Sequence, residues 1–161
     1  MEPQARGQSQ QQVPPGVYRH LPALALGGAA AFWATNFATS LTPMAADYRA
    51  VLSIAWLPMV LVESSLAGLV IGSFVSYFLI RRFDRIPTQI PILKAEILSV
   101  VALAIGVLVA GVGAIRLEPS EALHWFFIGA LLNVPRFLVL GWVIGYLYER
   151  LYVSPPDERK R

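Results

Sequence analysis

Cysteine is absent from this 161-residue chain. The protein therefore has no disulfides, no thiolate metal ligands and no thiol nucleophile. Charge is also scarce, since Asp, Glu, Lys and Arg make up 14% of the residues, against roughly 25% in soluble proteins. With 56% hydrophobic residues, the chain lacks the polar surface that a water-soluble domain of this length requires. The composition predicts one compact membrane unit.

Motifs for reaction chemistry are missing as well. The sequence contains no His-Glu-x-x-His zinc motif, no glycine-rich phosphate loop and no nucleophile elbow. His20 and His124 fall at opposite faces of the predicted membrane region, so they cannot share a metal ion. We therefore expect a non-enzymatic protein with no cofactor, no metal site and no nucleic-acid partner.

Long apolar runs are what the sequence does have. About 20 apolar residues cross roughly 30 Å of hydrocarbon as a helix. Four runs qualify and predict an all-α bundle of four transmembrane helices, at 21–42, 51–80, 97–115 and 123–148. The second run is too long for a perpendicular crossing, so tilt, a kink at Pro58 or a cytosolic extension must absorb the excess. We expect a disordered tail at 1–19, a membrane domain at 20–152 and a short basic tail at 153–161.

Positive charges are distributed unevenly among the segments that flank these runs. Arg49 and Arg116 are the only Lys or Arg residues in two of the loops. The N-terminal tail, the middle loop and the C-terminal segment hold ten: Arg6, Arg19, Arg81, Arg82, Arg85, Lys94, Arg150, Arg159, Lys160 and Arg161. The positive-inside rule then predicts a multi-pass protein with both termini in the cytoplasm. One alternative stays open: residues 21–33 are also typical of a signal peptide, whose cleavage would leave three spans.

Two opposite charges lie deep in the second and fourth runs. Glu63 and Arg136 follow Arg49 and Glu121 by 14 and 15 residues, which corresponds to roughly 21–22 Å of helix. Both charges are therefore expected near mid-bilayer. A charge there costs about 2.5–3.5 kcal/mol and is a functional-site hypothesis by default. Because their depths match, the sequence predicts an intramembrane ion pair between Glu63 and Arg136.

Small residues at four-residue spacing predict the faces on which these helices pack, because membrane helices associate through close backbone approach. The rows contain Ser64, Gly68, Gly72 and Ser76 in the second run, Gly106 in the third, and Gly141 and Gly145 in the fourth. At about 100° per residue, the glycines lie roughly 140° and 180° from the charge of their helix. Either the charges pair, or the two glycine faces pack together, but not both.

Polar breaks interrupt the apolar runs near the two charges. Pro135 removes a backbone donor and frees the carbonyl of Leu131, beside Asn133, and Pro58 does the same in the second run. Asn36 lies in the outer half of the first run, and we expect it to form an interhelical hydrogen bond. Such breaks occur both in transport sites and in inert, bent bundles. The sequence leaves both interpretations open.

The leading functional hypothesis is an assembly or accessory component of a larger membrane complex, with the Glu63–Arg136 pair fixing helix register. The alternative is a small transporter, channel or proton-conducting protein that uses the same pair. The expected partners are the lipid bilayer and either a second copy of the chain or other membrane proteins.

Overall fold

A computed structural model describes residues 17–51, 57–113 and 119–153, and every regular element among them is helical. The α-helices are α1 Leu21–Ser40, α2 Pro43–Val51, α3 Leu57–Arg82, α4 Pro91–Gly113 and α5 Pro119–Tyr148. Short 3-10 helices lie at Val17–His20 and Phe83–Arg85, and a π-helical turn lies at Glu149–Val153. Helices α1, α3, α4 and α5 are long and apolar enough to cross a membrane. The predicted all-α fold with four membrane-spanning helices is confirmed. Most of the two predicted tails lies outside the described residues.

Proline marks where these helices begin. Pro22, Pro43, Pro58, Pro91 and Pro119 each lie at the first or second residue of a helix. In the first turn a backbone N–H has no intrahelical partner, so its loss costs little, and the fixed φ of proline suits the helix. Pro58 is the second residue of α3. The predicted break at Pro58 involves the carbonyl of Ile54, which lies outside the described residues, so it stays a prediction.

The second predicted run contains parts of two helices. α2 ends at Val51 and α3 begins at Leu57. Residues 52–56 between them lie outside the described part of the chain. The sequence analysis did not predict α2, whose nine residues are too few to cross a membrane by themselves. The 26 residues of α3 then cover about 39 Å, which fits a single crossing with some tilt.

α1 packs against α3 and α5, and α4 packs mainly against α5 and also against α3, so the four long helices share one core. Small residues make these contacts close. A Cβ atom on Gly72 of α3 would lie 2.8 Å from the carbonyl oxygen of Ala25 in α1, and one on Gly145 of α5 would lie 2.5 Å from the Cα of Ile92 in α4. The glycine row of α3 therefore faces α1, and that of α5 faces α4.

The other predicted packing residues divide into two groups. Ser64 and Ser76 are buried in the row of Gly68 and Gly72, as expected. Gly106 is exposed on α4, and a Cβ there would meet nothing within 4 Å. Gly106 therefore makes no helix contact within the described chain, and a packing role for it would require another molecule.

One end of the bundle gathers three separate parts of the chain. The rings of His20 and Tyr152 lie 5.5 Å apart, and those of Phe83 and Tyr148 lie 4.9 Å apart. Lys94 Nζ donates a hydrogen bond of 2.5 Å to the carbonyl of Phe83. We call this the basic end, because it contains Arg19, Arg81, Arg82, Arg85, Lys94 and Arg150. The opposite end, where α2 lies, is called the α2 end.

The helices differ in length, so they do not end level with one another. The 20 residues of α1 cover about 30 Å and the 30 residues of α5 about 45 Å. The two helices meet near the basic end, where Gly27 contacts Leu147. The first turns of α5 therefore project beyond α1 at the α2 end. α2 packs on this projection, with the ring of Tyr48 against Gly129 and 6.3 Å from that of Trp125.

Candidate functional site

Polar side chains from three helices meet at the α2 end. Arg136 Nε lies 3.4 Å from Thr39 Oγ1, and Arg136 Nη1 donates a hydrogen bond of 3.1 Å to Asn133 Oδ1. Asn133 Nδ2 in turn donates to the carbonyl of Gly129 at 2.8 Å, the residue that Tyr48 covers from α2. We call Thr39, Tyr48, Asn133 and Arg136 the arginine cluster.

The position of Arg136 along the bundle is set by α1. Helical side chains tilt toward the N-terminus of their helix, and the N-terminus of α5 is at the α2 end. The guanidinium therefore reaches toward Thr39, the penultimate residue of α1, and lies level with the last turn of that helix. The predicted depth was counted from Glu121, but the start of α5 projects beyond the end of α1. That count therefore does not give the level of Arg136 relative to the other helices.

Glu63 lies apart from this cluster. It is exposed on α3, on the side away from the glycine row that packs on α1. The depth count from Arg49 does not apply to it, because Arg49 belongs to α2, which packs on α5. The polar contacts of Arg136 are to Thr39 and Asn133. The structure does not bring Glu63 and Arg136 together, so the predicted pair is not formed.

The reason lies in where the glycine rows face. An ion pair between Glu63 and Arg136 required that the glycine rows of α3 and α5 pack on other helices and not on each other. They do so: the row of α3 packs on α1 and that of α5 packs on α4. This arrangement permits the ion pair but does not by itself bring the two charges together. The glycine row of α3 packs on α1, so Glu63, on the other side of α3, faces out of the bundle. Arg136 of α5 instead faces α1.

Large apolar side chains surround Glu63 on the outside of α3. Met59, Val62, Leu66 and Val70 are between 61% and 68% exposed, and together with Glu63 they form what we call the Glu63 face. α4 offers a comparison, because its exposed large residues are all apolar: Leu93, Ile97, Val100, Val101, Ile105, Leu108 and Val109. The exposed side of α4 is typical of a surface covered by lipid. The Glu63 face differs from the exposed side of α4 because it carries one carboxylate, that of Glu63.

Electrostatics distinguish the arginine cluster from an ion pair. A guanidinium remains charged in proteins. Within the described part of the chain, no carboxylate lies within ion-pair distance of Arg136, and its hydrogen-bond partners are the neutral Thr39 and Asn133. Burial raises the pKa of the Tyr48 phenol above its usual 10.0, an effect that the charge of Arg136 partly opposes. Tyr48 is thus a neutral hydroxyl near neutral pH.

Asn36 does not make the interhelical hydrogen bond that was expected. It is fully buried, and neither Nδ2 nor Oδ1 has a hydrogen-bond partner among the described residues. It lies about one turn further into the bundle than Thr39, on the same side of α1. Pro135 lies inside α5, which runs continuously from Pro119 to Tyr148, and its missing N–H leaves the carbonyl of Leu131 without the usual intrahelical donor. Asn133 bonds to Gly129 and not to the freed carbonyl of Leu131.

Three polar residues were missed by the sequence analysis. Tyr48 belongs to the unpredicted α2. Lys94 was counted only as a loop charge, yet it is 3% exposed and its ammonium lies 3.5 Å from the centre of the Phe83 ring. Glu96 lies one residue before the predicted third span, and its Oε2 is buried near Gly141 with no hydrogen-bond partner in the described structure. The helical start at Pro91 was the available signal for the last two.

Chemically, the arrangement offers anion binding and hydrogen bonding. No group of three or more His, Cys, Asp or Glu residues is placed to hold a metal ion within residues 17–51, 57–113 and 119–153. Comparisons with models of protein families, with curated proteins and with solved structures give no match to this chain.

Proposed function

We propose that this chain is a non-enzymatic membrane protein that serves as an assembly or accessory component of a larger membrane complex, docking through the Glu63 face. The observation that carries the proposal is the exposed carboxylate of Glu63 amid exposed apolar side chains of a membrane-spanning helix. A charged residue inside the bilayer costs about 2.5–3.5 kcal/mol. Contact with a polar group of another helix offsets part of that cost.

The chemistry of Glu63 specifies the partner. An ionised carboxylate only accepts hydrogen bonds, so it requires a donor, and a cation is the strongest. Arg136 of a second copy cannot supply it, because that side chain is held against Thr39 and Asn133 inside its own bundle. The partner is therefore a different transmembrane helix with a Lys or Arg. To meet Glu63, this Lys or Arg lies about two turns into the partner helix, counted from the partner's end that is level with the start of α3.

The orientation forms part of the same proposal. The basic end contains six Lys or Arg residues of the described chain, whereas the α2 end has Arg49 and the inward-facing Arg136. Cytoplasmic segments carry an excess of Lys and Arg. We therefore place the basic end, and with it both termini, in the cytoplasm.

The alternative, transport along a Glu63–Arg136 path, has less support. Arg136 faces α1 inside the bundle and Glu63 faces outward from α3. A single path through the bundle would therefore not contact both side chains. Ion or proton flux through liposomes that contain the purified protein, abolished by Glu63→Gln, would favour transport over assembly.

Synthetic transmembrane peptides provide the test of docking. Fluorescently labelled poly-leucine helices that carry a single Lys, Gln or Leu at the matching depth are mixed with the full-length protein in liposomes, and binding is measured by energy transfer. We expect the Lys peptide to bind about 3- to 30-fold more tightly than the Leu peptide, since polar contacts in membranes contribute roughly 0.6–2 kcal/mol.

Two variants show whether Glu63 causes this preference. Glu63→Gln should remove most of the preference for Lys, because an amide lacks the negative charge. Glu121→Gln is the matched control, since Glu121 is also exposed but lies on α5, away from the Glu63 face, and it should bind as wild type. Equal binding of the Lys and Leu peptides to the wild-type protein would exclude the proposed docking.

A further inference from the structure

We infer that the arginine cluster binds a phosphate group at the α2 end of the bundle. This inference is independent of the proposed docking function, because the arginine cluster faces α1 and the Glu63 face lies on the outside of α3. It rests on three properties of the cluster: its uncompensated charge, its depth and its set of hydrogen-bond donors.

The charge of Arg136 has no anionic partner in the described structure. Of the five N–H donors of a guanidinium, the two that make contacts point to the neutral oxygens of Thr39 and Asn133. A permanent cation with neutral neighbours, in surroundings less polar than water, attracts an anion strongly.

The depth of the guanidinium points to phosphate. α1 has 20 residues, which cover about 30 Å, the thickness of the hydrocarbon layer. The last turn of α1 therefore lies near the headgroups, and the guanidinium is level with it through Thr39. Arginine side chains near helix ends extend toward this interface, where lipid phosphates are the abundant anions.

The donors of the cluster suit an oxyanion. The planar guanidinium matches a phosphate through two parallel hydrogen bonds. Thr39 Oγ1 accepts from Nε and donates its own proton to the carbonyl of Thr35 or Asn36, at 2.9 or 3.0 Å, so Thr39 orients the guanidinium. Tyr48 covers the site from α2 with a neutral phenol. The guanidinium and this phenol can donate hydrogen bonds to an oxyanion, whereas a cation would find no carboxylate among the residues of the cluster.

A lipid headgroup and a free phosphate offer the same chemistry, so the experiment uses both. The purified full-length protein in detergent is mixed with phosphatidylglycerol, with a galactosyl diacylglycerol of the same acyl chains, or with inorganic phosphate. Binding is measured by native mass spectrometry for the lipids and by calorimetry for phosphate. We expect wild type to prefer the phospholipid to the galactolipid by about tenfold, the factor that corresponds to about 1.4 kcal/mol.

Variants then locate the binding site. Arg136→Gln should abolish the preference, and Arg136→Lys should retain part of it, because lysine keeps the charge but loses the two-point geometry. Arg49→Gln is the matched control: Arg49 lies at the same end but donates at 2.9 Å to the carbonyl of Ser40, and its replacement should change the preference less than twofold.

Each outcome decides the inference. Inorganic phosphate that binds and competes with the lipid would identify a site for free phosphate, and lipid binding without such competition would identify a headgroup site. Equal binding of the two lipids by wild type would overturn the inference. So would an unchanged preference in Arg136→Gln, or an equal loss in Arg49→Gln. If Arg136→Gln does not fold, the inference is decided by two measurements: the preference of wild type between the two lipids, and the part of that preference that Arg136→Lys retains.

Discussion

At the scale of single residues, the two asparagines Asn36 and Asn133 differ in whether their side-chain amides are hydrogen-bonded. Asn36 of α1 is fully buried and its amide has no partner in the described structure. Asn133 of α5 donates to Gly129 and accepts from Arg136. A buried polar group without a hydrogen bond destabilises the folded state by about 1–3 kcal/mol, so the two amides should respond in opposite directions to the same substitution.

We predict that Asn36→Leu raises the free energy of unfolding by about 1–2 kcal/mol, because leucine has a similar volume and no polar atoms to satisfy. Asn133→Leu should lower it by about 1–3 kcal/mol, since it leaves Arg136 without its closest acceptor. Both are measured by unfolding in mixed micelles with increasing mole fraction of denaturing detergent. A loss of stability in Asn36→Leu would mean that its amide is bonded in the membrane.

At the scale of elements, glycine contacts hold the helices in place. The row of Gly68 and Gly72 lets α3 approach the backbone of α1 at Ala25 and Ala29. Where lipid is as apolar as the side chains, such close packing is a main source of helix association. The cost of an added methyl group should therefore depend on whether the glycine faces another helix.

Gly72→Ala and Gly106→Ala test this dependence as a matched pair. A Cβ on Gly72 would lie 2.8 Å from the backbone oxygen of Ala25, whereas one on Gly106 would meet nothing within 4 Å. We expect Gly72→Ala to cost about 1–3 kcal/mol by overpacking. Gly106→Ala should be neutral or stabilise by up to about 1 kcal/mol through helix propensity. Similar losses in both variants, in the same micelle assay, would contradict the α1–α3 packing.

The helix α2 should give the protein a pH dependence through Tyr48. Burial raises its pKa from 10.0, so the folded state favours the neutral phenol. That contribution is complete below pH 10 and is lost as the pH rises through the raised pKa. Tyr48→Phe cannot ionise, so it should lose less stability than wild type between about pH 9 and pH 11. Identical pH profiles of thermal unfolding would argue against burial of this phenol.

The sequence predicted the elements better than the site. Apolar runs of sufficient length identify spans because hydrocarbon thickness fixes that length. The spacing of Gly68 and Gly72 predicted a packing face, but periodicity cannot say which helix meets it. The depths of Glu63 and Arg136 were counted along the chain from Arg49 and Glu121. Such a count does not give the relative levels of side chains, because it does not include the fold of α2 onto α5 or the projection of α5 beyond α1.

At the scale of the whole molecule, the absence of cysteine becomes useful, because one introduced thiol is then a unique label. Asp47 and Glu121 are exposed near the α2 end, and Arg85 is exposed at the basic end. We predict that a membrane-impermeant maleimide labels Asp47→Cys and Glu121→Cys in intact cells, and Arg85→Cys only after permeabilisation. The reverse pattern would invert the proposed orientation.

Unequal helix lengths make the membrane-facing perimeter of the protein uneven. α1, with 20 residues, is exposed to the surroundings at Leu26, Trp33 and Phe37, while α5 has 30 residues. A bilayer that matches one side does not match the other, so it must thin, thicken or let the bundle tilt, each at a small energetic cost. The protein should therefore sense membrane thickness, and lipids of different chain length should sort around its two sides.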